Sequence, residues 1–362
     1  MQLFTCTNCT NLVYFENTAC ESCGFQLGYD PSSDQMFASQ SDEKRHTDLR
    51  FCENAQYGAC NWLVPANSSN PFCLSCQHNR TIPDLSVEMN LSHWKKFELA
   101  KHHLFYSLLR LRLPLETRLE DPASGLAFDI LADDPGSPVM TGHDNGVITI
   151  NLAEADDATR EQRRTEFGEP YRTLLGHFRH EIGHYYWDRL VRDADQLGPF
   201  RDCFGDESRD YGEALQTYYA NGAPSDWREH FVSTYASSHP WEDFAETWAH
   251  YLHIVDTLEM AGSFGMRVNP LVTEDQAHAA NVNFNPHAAR SIDRLIRHWL
   301  PIAAAVNSLN RCMGQPDLYP FILTPPVIHK LGFVHDLVHR SDPAKKTSEP
   351  GTQSGDLRYA SE

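Results

Sequence analysis

No stretch of this sequence stays apolar for long enough to cross a bilayer as a helix. The longest apolar run, residues 300–306, contains Pro301, whereas a membrane-spanning helix needs about 20 apolar residues. Residues 1–6 also lack the basic and apolar segments of a signal peptide. We therefore expect no membrane association and a cytoplasmic location.

Basic residues are scarce. The chain has 30 Lys and Arg against 49 Asp and Glu, which gives a formal net charge of −19. In residues 1–85, nine acidic residues stand against four basic ones. A chain of this charge repels nucleic acid and anionic lipid headgroups. We therefore expect a peptide or protein partner rather than nucleic acid or a membrane.

Cysteine is nearly absent after residue 76, where only two of the ten cysteines lie. The other eight form two sets of four, and each set can close a tetrahedral zinc site. The first set consists of Cys6, Cys9, Cys20 and Cys23, and the second of Cys52, Cys60, Cys73 and Cys76. Without an export signal, such clustering favours metal over disulfides. We predict two structural zinc ions, whose binding supplies folding free energy to residues 1–85, the cysteine region.

Residues 180–184 read HEIGH, an HExxH motif. In a helix, residues i and i+4 share a face, so His180 and His184 can present two imidazoles to one metal ion. Glu181 then lies beside the ion, where it can act as the general base for zinc-activated water. Two histidines and a carboxylate, with one position left for water, are typical of catalytic zinc.

Residues 242–246 read EDFAE and place two carboxylates one helical turn apart. We take Glu242 as the third ligand and Glu246 as the acceptor of a hydrogen bond from a ligand histidine. The alternatives for the third ligand are Asp243, Glu246, His239 and His250. Tyr235 precedes Glu242 by seven residues and is either an oxyanion donor or a packed aromatic. His177 lies on the side of His180, but we do not expect it to be a ligand.

Hydrophobic periodicity predicts the elements that carry these residues. We expect helices at residues 93–113, with Ser92 as N-cap, and at 172–191, 211–220, 241–258 and 288–312. Residues 125–132 and 146–152 read as strands, the second being either an ordinary strand or a substrate-binding edge strand. Residues 193–208 read as irregular, and residues 318–338 as packing back on the helices.

Four further runs accompany HEIGH and EDFAE: CTNC at 6–9, FEN at 15–17, CNWLVPA at 60–66 and NRTIPDL at 79–85. With these runs, residues 1–340 resemble the bacterial family of zinc-binding metallopeptidases with an N-terminal zinc-ribbon domain. CNWLVPA and NRTIPDL are far more specific than HExxH. The resemblance implies a fold and a metal site more firmly than a substrate.

The chain also resembles gluzincins more broadly. In these peptidases a glutamate after HExxH is the third ligand, and an acidic residue four positions later supports the ligands. This implies the same roles for Glu242 and Glu246, although thermolysin has Asp where this chain has Glu246. Gluzincins of the lethal-factor type place a catalytic tyrosine seven positions before the ligand glutamate, which implies that role for Tyr235.

The fold we expect is α+β. A small β zinc-ribbon domain with two four-cysteine sites spans residues 1–85. A mostly helical, zincin-like metallopeptidase domain with a small sheet spans residues 86–340. Residues 341–362, rich in Ser, Pro, Gly, Lys and Asp, form a disordered tail.

Two functions fit these predictions. The first is a zinc-dependent peptidase with one catalytic and two structural zinc ions, whose ribbons either recruit a substrate or partner or cover the cleft. The second is a protein-binding adaptor with zinc ribbons and a catalytically silent zincin scaffold. The complete set of His180, Glu181, His184 and Glu242 favours the peptidase, because a decayed enzyme usually loses one of these groups.

Overall fold

The computed structural model describes residues 1–39, 48–133, 139–166 and 173–340. The tail predicted at residues 341–362 lies outside these ranges. The strands are β1 Phe4–Thr5, β2 Leu12–Val13, β3 Leu27–Asp30, β4 Gln35–Ala38, β5 Leu49–Phe51, β6 Leu63–Pro65, β7 Asn79–Thr81, β8 Ala127–Leu131, β9 Gly142–Asp144, β10 Val147–Asn151, β11 Arg267–Val268 and β12 Ala280–Asn281. The helices are α1 Glu88–Arg110, α2 Asp157–Glu166, α3 Leu174–Trp187, α4 Leu197–Phe204, α5 Tyr211–Asn221, α6 Trp227–His230, α7 Pro240–Ser263, α8 Ile292–Cys312 and α9 Pro325–Arg340.

The α+β prediction is confirmed: short strands surround the two cysteine sets, and helices dominate the remainder. In the cysteine region, β1–β2, β3–β4 and β5–β6 are two-stranded antiparallel sheets. Their aromatic side chains pack directly on α1, with the rings of Phe15 and Tyr106 5.2 Å apart. The buried cores of the two regions are therefore continuous.

A four-stranded sheet lies before the HExxH helix in the order β7-β8-β10-β9. β7, β8 and β10 are parallel, and β9 pairs antiparallel to β10. The idea that residues 146–152 are an edge strand is wrong, because β10 lies between β8 and β9. Asn145 and Gly146 have φ of 46° and 86°, as a two-residue hairpin turn requires. This turn connects β9 to β10, so β9 pairs with the side of β10 that does not pair with β8. Among the described strands, β9 forms that edge of the sheet.

Helix α1 begins five residues earlier than predicted, at Glu88, so Ser92 lies inside the helix and is not its N-cap. The reason is a turn at Asp84, whose side chain accepts the Ser86 N–H at 2.9 Å. This turn ends just before the helix starts. Residues 193–208, predicted as irregular, contain α4.

Helix α7 is buried along most of its length, contacts α3 and α9, and is hydrogen-bonded to α1. A buried polar network joins three of these helices. Asp256 of α7 hydrogen-bonds Arg179 of α3 and accepts the Ser107 hydroxyl of α1 at 2.6 Å. Lys330 of α9 pairs with Asp243 at 2.6 Å, so α9 packs back on α7, as predicted for residues 318–338. No described helix has the length and apolar content needed to cross a membrane.

Candidate metal centre

Helices α3 and α7 carry the predicted ligands, and both start at well-formed caps. Thr173 accepts the Gly176 N–H at 3.0 Å before α3. His239 accepts the Trp241 N–H at 3.1 Å before α7, which has Pro240 in its first turn. Proline suits this position because its missing N–H would have had no partner there. The caps fix the helix starts and thereby the faces that His180 and Glu242 occupy.

Gly183 allows α3 and α7 to approach closely. A Cβ at this position would lie 2.9 Å from the Ala245 Cα and 3.2 Å from the Trp248 Cβ. The second variable position of HExxH therefore faces the partner helix, and its hydrogen side chain sets the spacing between the histidines and Glu242.

The candidate ligand atoms of three residues converge between the helices. His180 Nε2 lies 3.2 Å from His184 Nε2 and 3.0 Å from Glu242 Oε2, and His184 Nε2 lies 3.6 Å from Glu242 Oε1. Tetrahedral zinc with bonds of about 2.1 Å places its ligand atoms about 3.4 Å apart. The observed separations match this geometry.

Glu242 has the state that a ligand requires. It is 1% exposed, and its Oε2 accepts no hydrogen bond from any described residue. Burial alone would raise the pKa of Glu242, but the neighbouring His184 and His180 outweigh it and hold this pKa well below its usual range. An ionised, buried oxygen that lacks a donor and faces two imidazoles fits a divalent metal. The donor set therefore suits zinc.

Glu246 lies one turn after Glu242 and fixes the orientation of His180. Its Oε1 is 2.8 Å from His180 Nδ1, and its Oε2 accepts the Ser233 hydroxyl at 2.6 Å. Because a carboxylate only accepts, Nδ1 carries the proton and Nε2 is left for metal. The sequence analysis did not indicate that Ser233 would hold Glu246 in place.

Glu181 is 5% exposed and held on one side only. Its Oε1 lies 3.2 Å from His177 Nε2, whereas its Oε2 has no hydrogen-bond partner in the part of the chain that the structure describes. Burial would raise the pKa of Glu181, but the hydrogen bond from His177 and the nearby imidazoles lower it overall. One oxygen of Glu181 is thus anchored by His177, and the other is left without a partner among the described residues.

His177 links Glu181 to Glu154, which follows β10. His177 Nδ1 lies 2.5 Å from Glu154 Oε2. Burial would lower the pKa of His177, but Glu154 and Glu181 outweigh it and raise this pKa to about 9. Both ring nitrogens of His177 therefore face carboxylates, Glu154 and Glu181. Its role between two carboxylates was not predicted, because Glu154 is distant in sequence.

Three of the four alternative third ligands have partners away from the histidine pair. His239 caps α7, and Asp243 pairs with Lys330. His250 Nδ1 lies 2.7 Å from the Tyr319 hydroxyl. Of the alternatives, Glu246 approaches His180, but at Nδ1, on the side opposite Nε2.

Two tyrosines stand beside the centre, of which the sequence indicated one. The ring of Tyr235 lies 6.0 Å from that of His180. Tyr211, at the start of α5, donates its hydroxyl to Glu242 Oε1 at 2.7 Å. Burial and the charge of Glu242 raise the pKa of both phenols, so both are protonated donors. Tyr211 precedes Glu242 by 31 positions, and no local pattern could have indicated it.

Both cysteine sets are assembled. The Sγ atoms of Cys6 and Cys23 are 3.8 Å apart, and those of Cys9 and Cys20 are 3.6 Å apart. In the second set, Cys60 and Cys73 are separated by 3.7 Å. Tetrahedral zinc with Zn–S bonds of about 2.3 Å requires about 3.8 Å. All four sulfurs of each set lie within 4.8 Å of one another, so each set suits zinc.

Comparisons with known proteins agree with this geometry. Residues 90–337 match the family described as "Putative zinc-binding metallo-peptidase", and residues 3–87 match a zinc-ribbon domain. Uncharacterized proteins of Mycobacterium tuberculosis and Mycobacterium bovis are 42% identical over 344 residues, which cover 95% of this chain and 97% of theirs. No solved structure matches the chain. The chain therefore belongs to the family of zinc-binding metallopeptidases with an N-terminal zinc ribbon.

Proposed function

We propose that this protein is a peptidase of the HExxH gluzincin type that hydrolyses peptide bonds with Glu181 as general base. The observation that carries the proposal is the state of the two Glu181 oxygens: one is anchored by His177, and the other is buried without a donor among residues 1–39, 48–133, 139–166 and 173–340. An adaptor with a silent scaffold has no need for an oriented, unsatisfied carboxylate beside three converging ligand atoms.

In this proposal, His180, His184 and Glu242 hold the catalytic zinc, and the two cysteine sets hold structural zinc. When bound, zinc supplies Lewis-acid polarisation of the scissile carbonyl and lowers the pKa of water. Glu181 Oε2 accepts the proton that the attacking water loses and delivers it to the leaving amine nitrogen as the C–N bond breaks. Tyr235 donates its hydroxyl to the carbonyl oxygen on which negative charge develops.

The substrate lies along β9 in this proposal. β9 is next to α3: the ring of His143 in β9 lies 6.3 Å from the ring of Tyr185 in α3. A groove of about 580 Å³ runs beside β9 and β10, with Arg80, Arg118 and Met140 among its lining residues. An extended peptide can pair with the edge of β9 by backbone hydrogen bonds, beside the helix that carries the histidine pair.

The test is cleavage of a proteome-derived peptide library, read by mass spectrometry, with zinc-loaded wild type and Glu181→Gln. We expect cuts by the wild type and a loss of about 100-fold to 10,000-fold in the variant, at equal zinc content. Full activity of the variant would contradict the general-base assignment. A wild type that cuts nothing would contradict the peptidase proposal and favour the adaptor.

A further inference from the structure

The second cysteine set is covered by a helix from outside the cysteine region. Glu98, Lys101 and His102 lie at i, i+3 and i+4 of α1, so they share one face of the helix. They are 0%, 0% and 3% exposed. The proposed peptidase chemistry uses none of these three groups, although all are polar and buried.

His102 points its imidazole at the sulfurs. Its Nε2 lies 3.3 Å from the Cys60 Sγ, 3.6 Å from the Cys76 Sγ and 3.9 Å from the Cys73 Sγ. The Trp62 ring, centred 5.3 Å from the imidazole, packs against it. The side chain is therefore held with one nitrogen over three members of the set.

Backbone donors reach three of the four sulfurs of the second set. Backbone N–H groups lie 3.3 to 3.4 Å from the sulfurs of Cys52, Cys60 and Cys73. Among the described residues, the Cys76 sulfur has no comparable backbone donor. It faces His102 and, at 3.3 Å, the Glu98 carboxylate.

Charge makes such a donor necessary. Four thiolates around Zn²⁺ leave two net negative charges, and burying an uncompensated charge is strongly unfavourable. Glu98 adds a third, but its Oε1 is held by Lys101 Nζ at 2.7 Å and by Asn79 Nδ2 at 3.0 Å. His102 is then the side chain positioned to offset the charge of the thiolates directly.

We propose that the second metal site is shared between the cysteine region and α1, and that His102 completes it by donating its Nε2–H to the thiolates of Cys60 and Cys76. His102 is a positioning residue in this site, and the four cysteines remain the ligands. The proposal is independent of the proposed peptidase activity. Because Phe97 of α1 packs on Phe178 of α3, with rings 5.9 Å apart, metal in this site also braces the helix that carries HExxH.

The test uses the full-length, zinc-loaded protein challenged with a chelator. Cysteines freed from metal are alkylated and located by peptide mass spectrometry. In His102→Ala we expect the second set to become reactive about 10-fold to 100-fold faster, the usual effect of removing a group that supports metal ligands. The first set, Cys6 to Cys23, should react at the wild-type rate and serves as an internal standard.

His103→Ala is the matched control. His103 is the next residue on α1, and its ring contacts Phe15 rather than the cysteines. Equal alkylation of the second set in His102→Ala and His103→Ala would overturn the proposal. His102→Gln, which keeps an N–H donor of similar reach, should recover part of the protection.

If His102→Ala does not fold, the role of His102 can still be tested by a measurement on the wild type. Nitrogen-15 NMR of the cadmium-loaded protein reports the tautomer of His102. We expect Nε2 to carry the proton. An unprotonated Nε2 with scalar coupling to cadmium-113 would make His102 a ligand and overturn the proposal of a donor.

Discussion

His180 Nδ1 lies 2.8 Å from the Glu246 Oε1, and this contact connects the two helices of the metal centre. It sets the tautomer of His180 and its ring orientation, while the Ser233 hydroxyl holds the other oxygen of Glu246. The HExxH helix supplies the imidazole, but Glu246 of α7 determines which of its nitrogens faces the candidate metal site.

The first prediction concerns Glu246. Replacing it with Ala removes the acceptor of the Nδ1 proton, so we expect zinc affinity at the catalytic centre to fall about 10-fold to 100-fold. Competition with a zinc chelator measures this. Glu229→Ala removes an exposed carboxylate of α6 and should leave zinc affinity unchanged. Equal affinities in the two variants would show that Glu246 does not support the ligands.

The second prediction concerns the contact between the helices. Gly183→Ala places a methyl group 2.9 Å from the Ala245 Cα, so the helices must separate. We expect a loss of about 1–3 kcal/mol in the free energy of unfolding, measured by urea denaturation, together with weaker zinc binding.

Gly198→Ala is the matched control for Gly183→Ala. Gly198 also lies in a helix, but a Cβ there meets nothing within 4 Å. We expect this variant to be as stable as the wild type or slightly more stable. A Gly183→Ala protein of wild-type stability would show that the spacing of α3 and α7 is not limiting.

The third prediction separates the two tyrosines. Tyr235→Phe removes the proposed oxyanion donor, so we expect kcat to fall about 100-fold to 1,000-fold at unchanged zinc content. Tyr211→Phe removes the hydroxyl that Glu242 accepts at 2.7 Å, so we expect weaker zinc binding as its main effect. The reverse pattern would assign the catalytic donor to Tyr211.

The fourth prediction concerns the support of Glu181. Glu154→Gln removes the charge 2.5 Å from His177 Nδ1, so His177 should hold Glu181 less firmly. We expect kcat to fall about 10-fold to 100-fold at full zinc content, measured on a peptide that the wild type cleaves. Asp157→Asn, an exposed residue paired with Lys96, should have wild-type activity. An unchanged kcat in Glu154→Gln would remove His177 from the mechanism.

Patterns within a single helix or knuckle were readable from the sequence. The i,i+4 spacings of HEIGH and EDFAE predicted the faces that α3 and α7 present to each other, and the cysteine spacings predicted both four-sulfur clusters. The start of α1 was misplaced because a turn at Asp84 outweighed the capping preference of Ser92. β9 went unnoticed because a three-residue strand has too little periodicity to detect.

The sequence by itself determined the α+β fold class, the ligand types and their local spacing, because these depend on helical geometry and on the chemistry of imidazole, carboxylate and thiolate. The tertiary structure decided which distant groups complete each site. Tyr211 reaches Glu242, Glu154 reaches His177, and His102 reaches Cys60 because separate elements pack around shared buried cores. Such contacts follow from how the elements close on one another, and no periodicity along the chain records them.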